Sequence, residues 1–145
     1  MRNKIAFSAV MMLAAMGMAR AQSLDPIAMR QVGMDLETGS FGFIRSVVAA
    51  KGDVRPLEGP AKAIARWQAM IPSLFPVGSD KGGDTRALPE IWSDRAGFDK
   101  LAMAASAAAT RLAAAAKAGD ADAVAVEMKA LGEQCGACHR GYRAK

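Results

Sequence analysis

Apolar residues recur every three or four positions through most of the chain, and four segments show this helical spacing. The first, residues 24–50, opens with Asp25 and Pro26, which favour the cap and first turn of a helix. A second helix is predicted over residues 61–74 and a third over residues 89–118, where alanine supplies much of the packing surface. No alternating strand pattern interrupts these segments, so the sequence predicts an all-α domain.

The first predicted helix is apolar on two faces. One stripe contains Leu24, Ile27, Met34, Phe41 and Val48, and the other contains Met29, Val32, Leu36, Phe43 and Val47. A helix with two apolar faces is expected to be buried on both, as between a bundle core and a cofactor or partner. Gly33, Gly39 and Gly42 each weaken such a helix by about 1 kcal/mol relative to alanine. That cost is tolerable where a flat ligand or another helix must come close.

The fourth predicted helix follows a tight corner at Gly119 and Asp120, a helix stop and a helix cap. Its apolar stripe steps by four and three without a break. The stripe consists of Val124, Met128, Leu131, Cys135, Cys138 and Tyr142. This spacing is that of an a/d seam, so both cysteines are expected to face the bundle interior.

The two cysteines belong to the motif C-x-x-C-H, formed by Cys135, Cys138 and His139, which is typical of c-type haem attachment. Residues three or four apart share one face of a helix, so both sulfurs can reach the two vinyl groups along one porphyrin edge. The imidazole can then bind the iron. These are the only cysteines and the only histidine of the chain.

Three other interpretations of the motif remain possible from the residues alone. A zinc site usually needs four protein ligands, and only three thiol or imidazole groups exist here. A thioredoxin-like redox pair is expected at the start of a helix in a βαβ unit, which the pattern lacks. A structural disulfide is possible in an oxidising compartment, although it leaves His139 without a role.

The amino terminus has the three parts of an export signal. Residues 1–4 include the basic Arg2 and Lys4, residues 5–18 are uncharged and largely apolar, and Ala19 and Ala21 form an A-x-A cleavage site. The apolar run is shorter than the roughly 20 residues that cross a bilayer, so a stable membrane anchor is not expected. We predict cleavage after Ala21, which leaves one haem domain at residues 22–145. Because bacteria attach c-type haem outside the cytoplasmic membrane, the signal and the motif support each other.

Removing the leader changes the charge of the protein. The leader contains Arg2, Lys4 and Arg20 but no acidic residue, so 16 basic residues remain against 14 acidic ones. The formal charge falls from +5 to +2, and binding to nucleic acid is not expected. No second histidine, Ser-His pair or carboxylate pair indicates an enzyme.

The chain resembles the cytochrome c′ family, the class II c-type cytochromes, including the low-spin cytochrome c556 branch. The resemblance rests on Arg30-Gln31, on Phe41-Gly42, and on residues 82–86, 88–92 and 135–143. It implies an antiparallel up-down-up-down four-helix bundle with one covalently bound haem c. It also implies periplasmic redox partners, and a homodimer formed through the first two helices.

The resemblance also implies a role for each residue of the carboxyl-terminal motif. Cys135 and Cys138 would hold the haem and His139 would be the proximal iron ligand. Arg143 would lie beside the proximal imidazole, although it could equally complement the last turn of the helix.

Three further residues resemble family positions near the haem. Arg30 and Gln31 match residues that lie near a propionate, and Asp84 matches a loop contact to the haem. A guanidinium can pair with a carboxylate through two hydrogen bonds. An exposed helix face for Arg30 and Gln31, and a plain turn for Asp84, are the alternative interpretations.

The residue over the sixth iron position decides between two functions. Counting from Arg30-Gln31 gives Met34, as in the c556 branch, whereas counting back from Lys51 gives Leu36. The two are about 200° apart on a helix, so only one can face the haem, and we favour Met34. Met29 is a third candidate.

A methionine ligand saturates the iron and raises its potential, which suits electron transfer in the periplasm of a Gram-negative bacterium. The alternative is a five-coordinate cytochrome c′ that binds nitric oxide or carbon monoxide at an open site.

Overall fold

A computed structural model describes residues 25–145, which form an all-α bundle. Its helices are α1 (Pro26–Ala49), α2 (Glu58–Met70), α3 (Glu90–Ser93), α4 (Arg95–Ala118) and α5 (Ala121–Tyr142), with 3₁₀ turns at Arg55–Leu57 and Ile71–Leu74. The predicted leader over residues 1–21 and the cleavage site lie outside the described residues, as does Leu24 of the first stripe.

The four long helices form the predicted bundle, since α2 packs on α4, α4 on α5, and α1 on both α2 and α5. Short connections join α1 to α2 and α4 to α5, which makes these neighbours antiparallel. Among residues 25–145, no helix combines the length of a bilayer crossing with the apolar character that such a crossing requires.

Aspartates begin three of the long helices. The carboxylates of Asp25, Asp94 and Asp120 each accept a hydrogen bond from a backbone N–H in the first turn. These bonds satisfy donors that the helix itself cannot pair. Gly119, with φ of +74°, ends α4 in the left-handed conformation that favours glycine. The predicted caps Asp25 and Asp120 therefore lie at helix starts.

Two predicted helix boundaries are wrong. The third predicted helix, residues 89–118, is interrupted at Asp94, whose φ of −117° and ψ of 56° are not helical. Its carboxylate caps α4 instead, so one turn, α3, precedes the long helix. The second helix begins at Glu58 rather than at residue 61, because a proline at residue 60 is tolerated within the first turn.

The core consists of two clusters that meet near the C-x-x-C-H motif. The larger cluster is aliphatic and includes Ile44, Leu57, Ile64, Leu112, Val124 and Leu131. The smaller cluster is aromatic, with the ring of Phe98 5.0 Å from Phe75 and 5.3 Å from Tyr142 in edge-to-face contact. Cys135 packs against the first cluster and Cys138 against the second. The motif therefore lies where the aliphatic and aromatic layers join.

Gly33 allows α1 and α2 to approach closely, and we expect Gly33→Ala to destabilise the protein by about 1–3 kcal/mol. A Cβ at this position would overlap the six-membered ring of Trp67. Gly39 is a matched control on the same helix because its Cβ would meet open space, so Gly39→Ala should gain up to about 1 kcal/mol. Denaturant unfolding measures both changes. If Gly33→Ala stabilised the protein as Gly39→Ala is expected to, the close contact between Gly33 and Trp67 would be contradicted.

Candidate functional site

The motif residues lie together on the last three turns of α5. Cys135, Cys138 and His139 are half-buried, and both thiols are free. Burial, with a smaller contribution from the charge of Glu37, raises the pKa of Cys135 to about 11. The same causes raise the pKa of Cys138. The pair therefore remains protonated at neutral pH.

This environment does not favour the other interpretations of the motif. A thioredoxin-like pair lies at a helix start, and the pKa of its reactive thiol is lowered. These thiols lie near a helix end, and their pKa values are raised. Within residues 25–145, no three side chains of His, Cys, Asp or Glu are arranged to hold a metal ion, as a zinc site needs.

A cavity of about 720 Å³ opens beside the motif and is lined by all four long helices and the loop before α3. Its volume falls within the roughly 300–1,000 Å³ of ligand-binding pockets. Its apolar walls include Met34, Phe41, Ile71, Phe98, Leu101 and Leu131. Cys135, Cys138 and His139 all line it. Two free thiols and an imidazole on one face of an apolar cavity fit a porphyrin that is attached through two thioethers.

The structure separates the candidates for the distal position. Met34 is half-buried and lines the cavity, whereas Leu36 is 69% exposed on another face of α1. A continuous helix keeps these residues about 200° apart, so the register that brings one to the cavity turns the other away. Met29 packs against the aromatic cluster and is not among the residues that line the cavity.

Arg30 binds the loop that follows α2. The residue is 5% exposed, and its guanidinium carbon lies 4.4 Å from the ring centre of Phe75. Its nitrogens donate to the Leu74 carbonyl at 3.3 Å, to both oxygens of Ser79 at 3.1 and 2.8 Å, and to Thr85 Oγ1 at 2.7 Å. Burial lowers its pKa. Arg30 therefore fixes α1 against the loop, and a propionate would share the guanidinium with these partners.

Gln31 and Asp84 meet at the rim of the same cavity. Gln31 Nε2 donates a hydrogen bond to the backbone carbonyl of Asp84 at 3.1 Å, and Asp84 itself is exposed. Gly82 and Gly83 precede it with φ of +98° and +54°, values that favour glycine. The structure therefore brings Gln31 and Asp84 together through a hydrogen bond to the backbone, which the sequence did not indicate.

Two arginines lie near His139. Burial first, and then the charges of Arg143 and Arg86, lower the pKa of His139. An antiparallel bridge between Ala87 and Arg143 brings the loop before α3 to the end of α5. The sequence indicated Arg143 but gave Arg86 no role, because no local pattern predicts the bridge.

The only tyrosine of the chain, Tyr142, binds a cap residue of the neighbouring helix. Its hydroxyl donates to Asp94 Oδ2 at 2.6 Å, and this bond raises the pKa of Tyr142 to about 12. A Cβ on Gly97 would collide with both groups, so glycine makes the contact possible. The bond fixes the last turn of α5, which contains His139, against the start of α4.

We expect an ultraviolet titration of Tyr142 to show a midpoint near pH 12. An unfolded tyrosine loses its proton near pH 10, so the folded protein loses stability as pH rises from about 10 to 12. Asp94→Asn removes the accepting charge and should return the midpoint toward 10. An ordinary midpoint in the unsubstituted protein would contradict the bond.

The sequence reasoning missed Glu37, a half-buried carboxylate on the cavity wall. The side chain of Gln68, a residue of α2 that is 8% exposed, donates hydrogen bonds from Nε2 to both carboxylate oxygens of Glu37, at 2.7 and 2.9 Å. The signal was its position three residues after Met34 and seven after Arg30, which places an acid on the face that contains those residues.

A sequence model of the family Cytochrome C′ matches residues 25–143. Cytochrome c′ of Rhodopseudomonas palustris is 35% identical over 147 aligned positions, covering 100% of this chain and 99% of the relative. Cytochrome c-556 of Agrobacterium tumefaciens is 32% identical over 121 positions, covering 81% of this chain and 91% of the relative.

Solved structures agree with the sequence matches. A nitric oxide complex of a leucine-to-isoleucine mutant of cytochrome c prime from Alcaligenes xylosoxidans has a TM-score of 0.74 and 31% identity, covering 83% of this chain and 94% of that one. A cytochrome c′ with ligand-controlled dimer dissociation has a TM-score of 0.77 and 31% identity, covering 83% and 95%.

Together, the helical bundle and its cysteine-histidine site define a haem protein of the class II c-type cytochromes. The chain belongs to the cytochrome c′ family and carries one covalently bound haem c. The predicted resemblance, fold class and cofactor are confirmed.

Proposed function

We propose that this protein is an electron carrier in which His139 and Met34 would both be ligands of the haem iron. The observation that supports this proposal is the position of Met34, a thioether on the wall of the cavity that the motif lines. Leu36, the competing residue, is exposed outside the cavity. The haem supplies a one-electron iron couple. A thioether ligand favours ferrous iron and leaves no free coordination position, which is the arrangement of an electron-transfer site.

The remaining contacts to the cofactor are assigned by position. Cys135 and Cys138 would form the two thioethers, because both free thiols line the cavity one helical turn apart. Arg143 would lie beside the imidazole of His139, whose pKa it lowers.

On the other side of the cavity, Arg30 and Gln31 would lie near a propionate and Asp84 would contact the haem from the loop. All three line the cavity. Arg30 would offer a guanidinium that four hydrogen bonds already hold in place, so it needs little reorganisation to pair with a carboxylate.

A second candidate function is gas binding at a five-coordinate iron, and the comparisons favour it. Most of the relatives are named cytochrome c′, and three similar structures of cytochrome c prime contain bound nitric oxide. Two relatives named cytochrome c-556 are nearly as similar to this chain. Whether Met34 binds the iron therefore distinguishes the two functions.

Carbon monoxide titration of the reduced protein tests the two candidates. Six-coordinate iron should show a low-spin spectrum that changes little at micromolar carbon monoxide, because the gas must displace the thioether of Met34. A high-spin ferrous spectrum that shifts at once on adding the gas would instead establish the open site and refute the carrier.

We propose that the carrier works in the periplasm, because residues 1–21 have the pattern of an export signal. Its partners would be other periplasmic redox proteins.

We further propose that two copies pair through α1 and α2. Three members of the second apolar stripe of α1 do not face the core: Val32, Leu36 and Phe43 are exposed, as is Met70 on α2. A second copy of this chain would cover these side chains. A relative with a ligand-controlled dimer supports this choice of partner.

We expect Leu36→Arg to weaken this dimer by roughly 30-fold or more, because it places an unpaired charge in an apolar interface. Val126→Arg is the matched control, since Val126 is an exposed apolar residue on α5. Sedimentation equilibrium measures both association constants. Equal effects of the two substitutions, or a monomeric parent protein, would contradict the interface.

A further inference from the structure

Glu37 is a half-buried carboxylate that forms no ion pair with any cation of the part of the chain that the structure describes. Among residues 25–145 the ion pairs are Arg55–Asp53, Lys62–Glu58, Arg95–Asp99 and Arg111–Glu127, and none includes it. Its hydrogen-bond partner is the amide of Gln68, which contacts both oxygens. Burying a carboxylate beside a neutral partner costs stability. Burial accordingly raises the pKa of Glu37. A structural role alone would be served as well by an uncharged amide.

The charge of Glu37 acts on the two sulfurs of the motif. It raises the pKa of both Cys135 and Cys138, although it belongs to α1 and they belong to α5. Glu37 also lines the cavity that these thiols border. A porphyrin attached through the two sulfurs would therefore have this carboxylate near its linked edge.

Gln68 holds the carboxylate in this position. It is itself buried on α2, and its amide nitrogen lies 2.7 and 2.9 Å from the two oxygens of Glu37. The contact keeps the charge between the helices rather than in solvent.

We propose that Glu37 is a potential-determining residue, whose negative charge beside the haem edge favours ferric over ferrous iron. Reduction adds one electron to the iron, and no bond forms or breaks at Glu37. By Coulomb's law, a unit negative charge at a separation on the order of 10 Å and an effective dielectric constant of about 20 disfavours an added electron by roughly tenfold in the equilibrium constant, which sets the size of the effect expected here. This inference rests on the proposed haem site but not on the identity of the sixth ligand.

Other charged residues at the cavity are poorly placed for this role. Asp35, Arg45, Asp84, Arg86 and Arg143 also line it, but all of them are exposed, so water and salt screen their charges. The buried Arg30 donates its hydrogen bonds to the loop after α2. Among the acidic residues that line the cavity, Glu37 is therefore the one whose charge is least screened by water and salt.

The test is a spectroelectrochemical titration of the haem-loaded protein and three variants. Glu37→Gln keeps the shape and can still accept a bond from Gln68, and it should favour ferrous iron by about tenfold, a shift of about 59 mV for one electron. Gln68→Met removes the donor and should shift the equilibrium in the same direction. Asp35→Asn removes an exposed charge from the same cavity and helix, and should change it less than about twofold.

An equal shift in Glu37→Gln and Asp35→Asn would overturn the inference, as would a Glu37→Gln shift below twofold. A changed ferric spectrum in Glu37→Gln would also overturn it, because the residue would then act on iron ligation. A protein that proves high-spin but keeps the difference between the two variants supports the inference while refuting Met34 as ligand.

Discussion

Met34→Leu is expected to convert the iron from six-coordinate low-spin to five-coordinate high-spin and to raise the affinity for carbon monoxide more than about 100-fold. In the parent protein the gas can bind only in the small fraction of molecules whose thioether has left the iron, and its apparent affinity falls by that fraction. Leucine has nearly the volume of methionine, so the cavity wall that Met34 forms should stay packed. The substitution thus removes the ligand and little else. Absorption spectra and gas titration measure both changes.

The matched control is Met29→Leu. Met29 is a half-buried methionine on the same helix that packs against the aromatic cluster, as Met34 does, but it is not among the cavity-lining residues. Its substitution should leave the spin state and the affinity unchanged. If Met34→Leu and Met29→Leu both retain the parent spectrum, neither methionine is a ligand. If Met29→Leu alone alters the spectrum, Met29 rather than Met34 faces the iron.

Replacing Cys135 and Cys138 together by alanine should abolish covalent haem attachment. No other cysteine exists in the chain, so no second pair can replace them. The variant should also melt well below the haem-loaded protein, because the cavity of about 720 Å³ would lose the ligand that fills it. Haem staining of a denaturing gel and thermal unfolding followed by circular dichroism measure the two effects.

Single substitutions provide the control for this experiment. Cys135→Ala and Cys138→Ala should each keep one thioether, so the haem stain should survive in both and vanish only in the double variant. A double variant that still stains on the gel would show that the attachment lies elsewhere.

The sequence predicted most of the features that arise from local chemistry. Asp25 and Asp120 cap helices because a carboxylate can accept the free N–H groups of its own first turn. The spacing of Cys135 and Cys138 placed both thiols on one face for the same local reason. Helical registry also predicted that Met34 and Leu36 lie on different faces, since α1 continues without a break from Pro26 to Ala49, and Met34 is the one that lines the cavity.

Features that depend on contacts between distant segments were not predicted. The break at Asp94 depends partly on Tyr142, which lies 48 positions later and donates a hydrogen bond to it. The partners of Arg30 lie in a loop that has no periodicity to locate them. The pairing of Glu37 with Gln68 joins two helices at positions that match no motif.

The apolar pattern of α1 showed which residues share a face of the helix, but it did not show what covers each face. The second apolar stripe of α1 predicted burial on two faces, yet Leu36 is 69% exposed in the single chain. Periodicity shows which residues share a face of a helix, but it does not show whether a core, a cofactor or a second chain covers that face.

A crystal structure of the ferric, haem-loaded protein tests the central claim most directly. With Met34 as the sixth ligand, electron density should run continuously from the iron to the thioether sulfur, with the imidazole of His139 on the opposite side. An empty distal position, with the side chain of Met34 turned away from the iron, would contradict the claim and establish the gas-binding function instead.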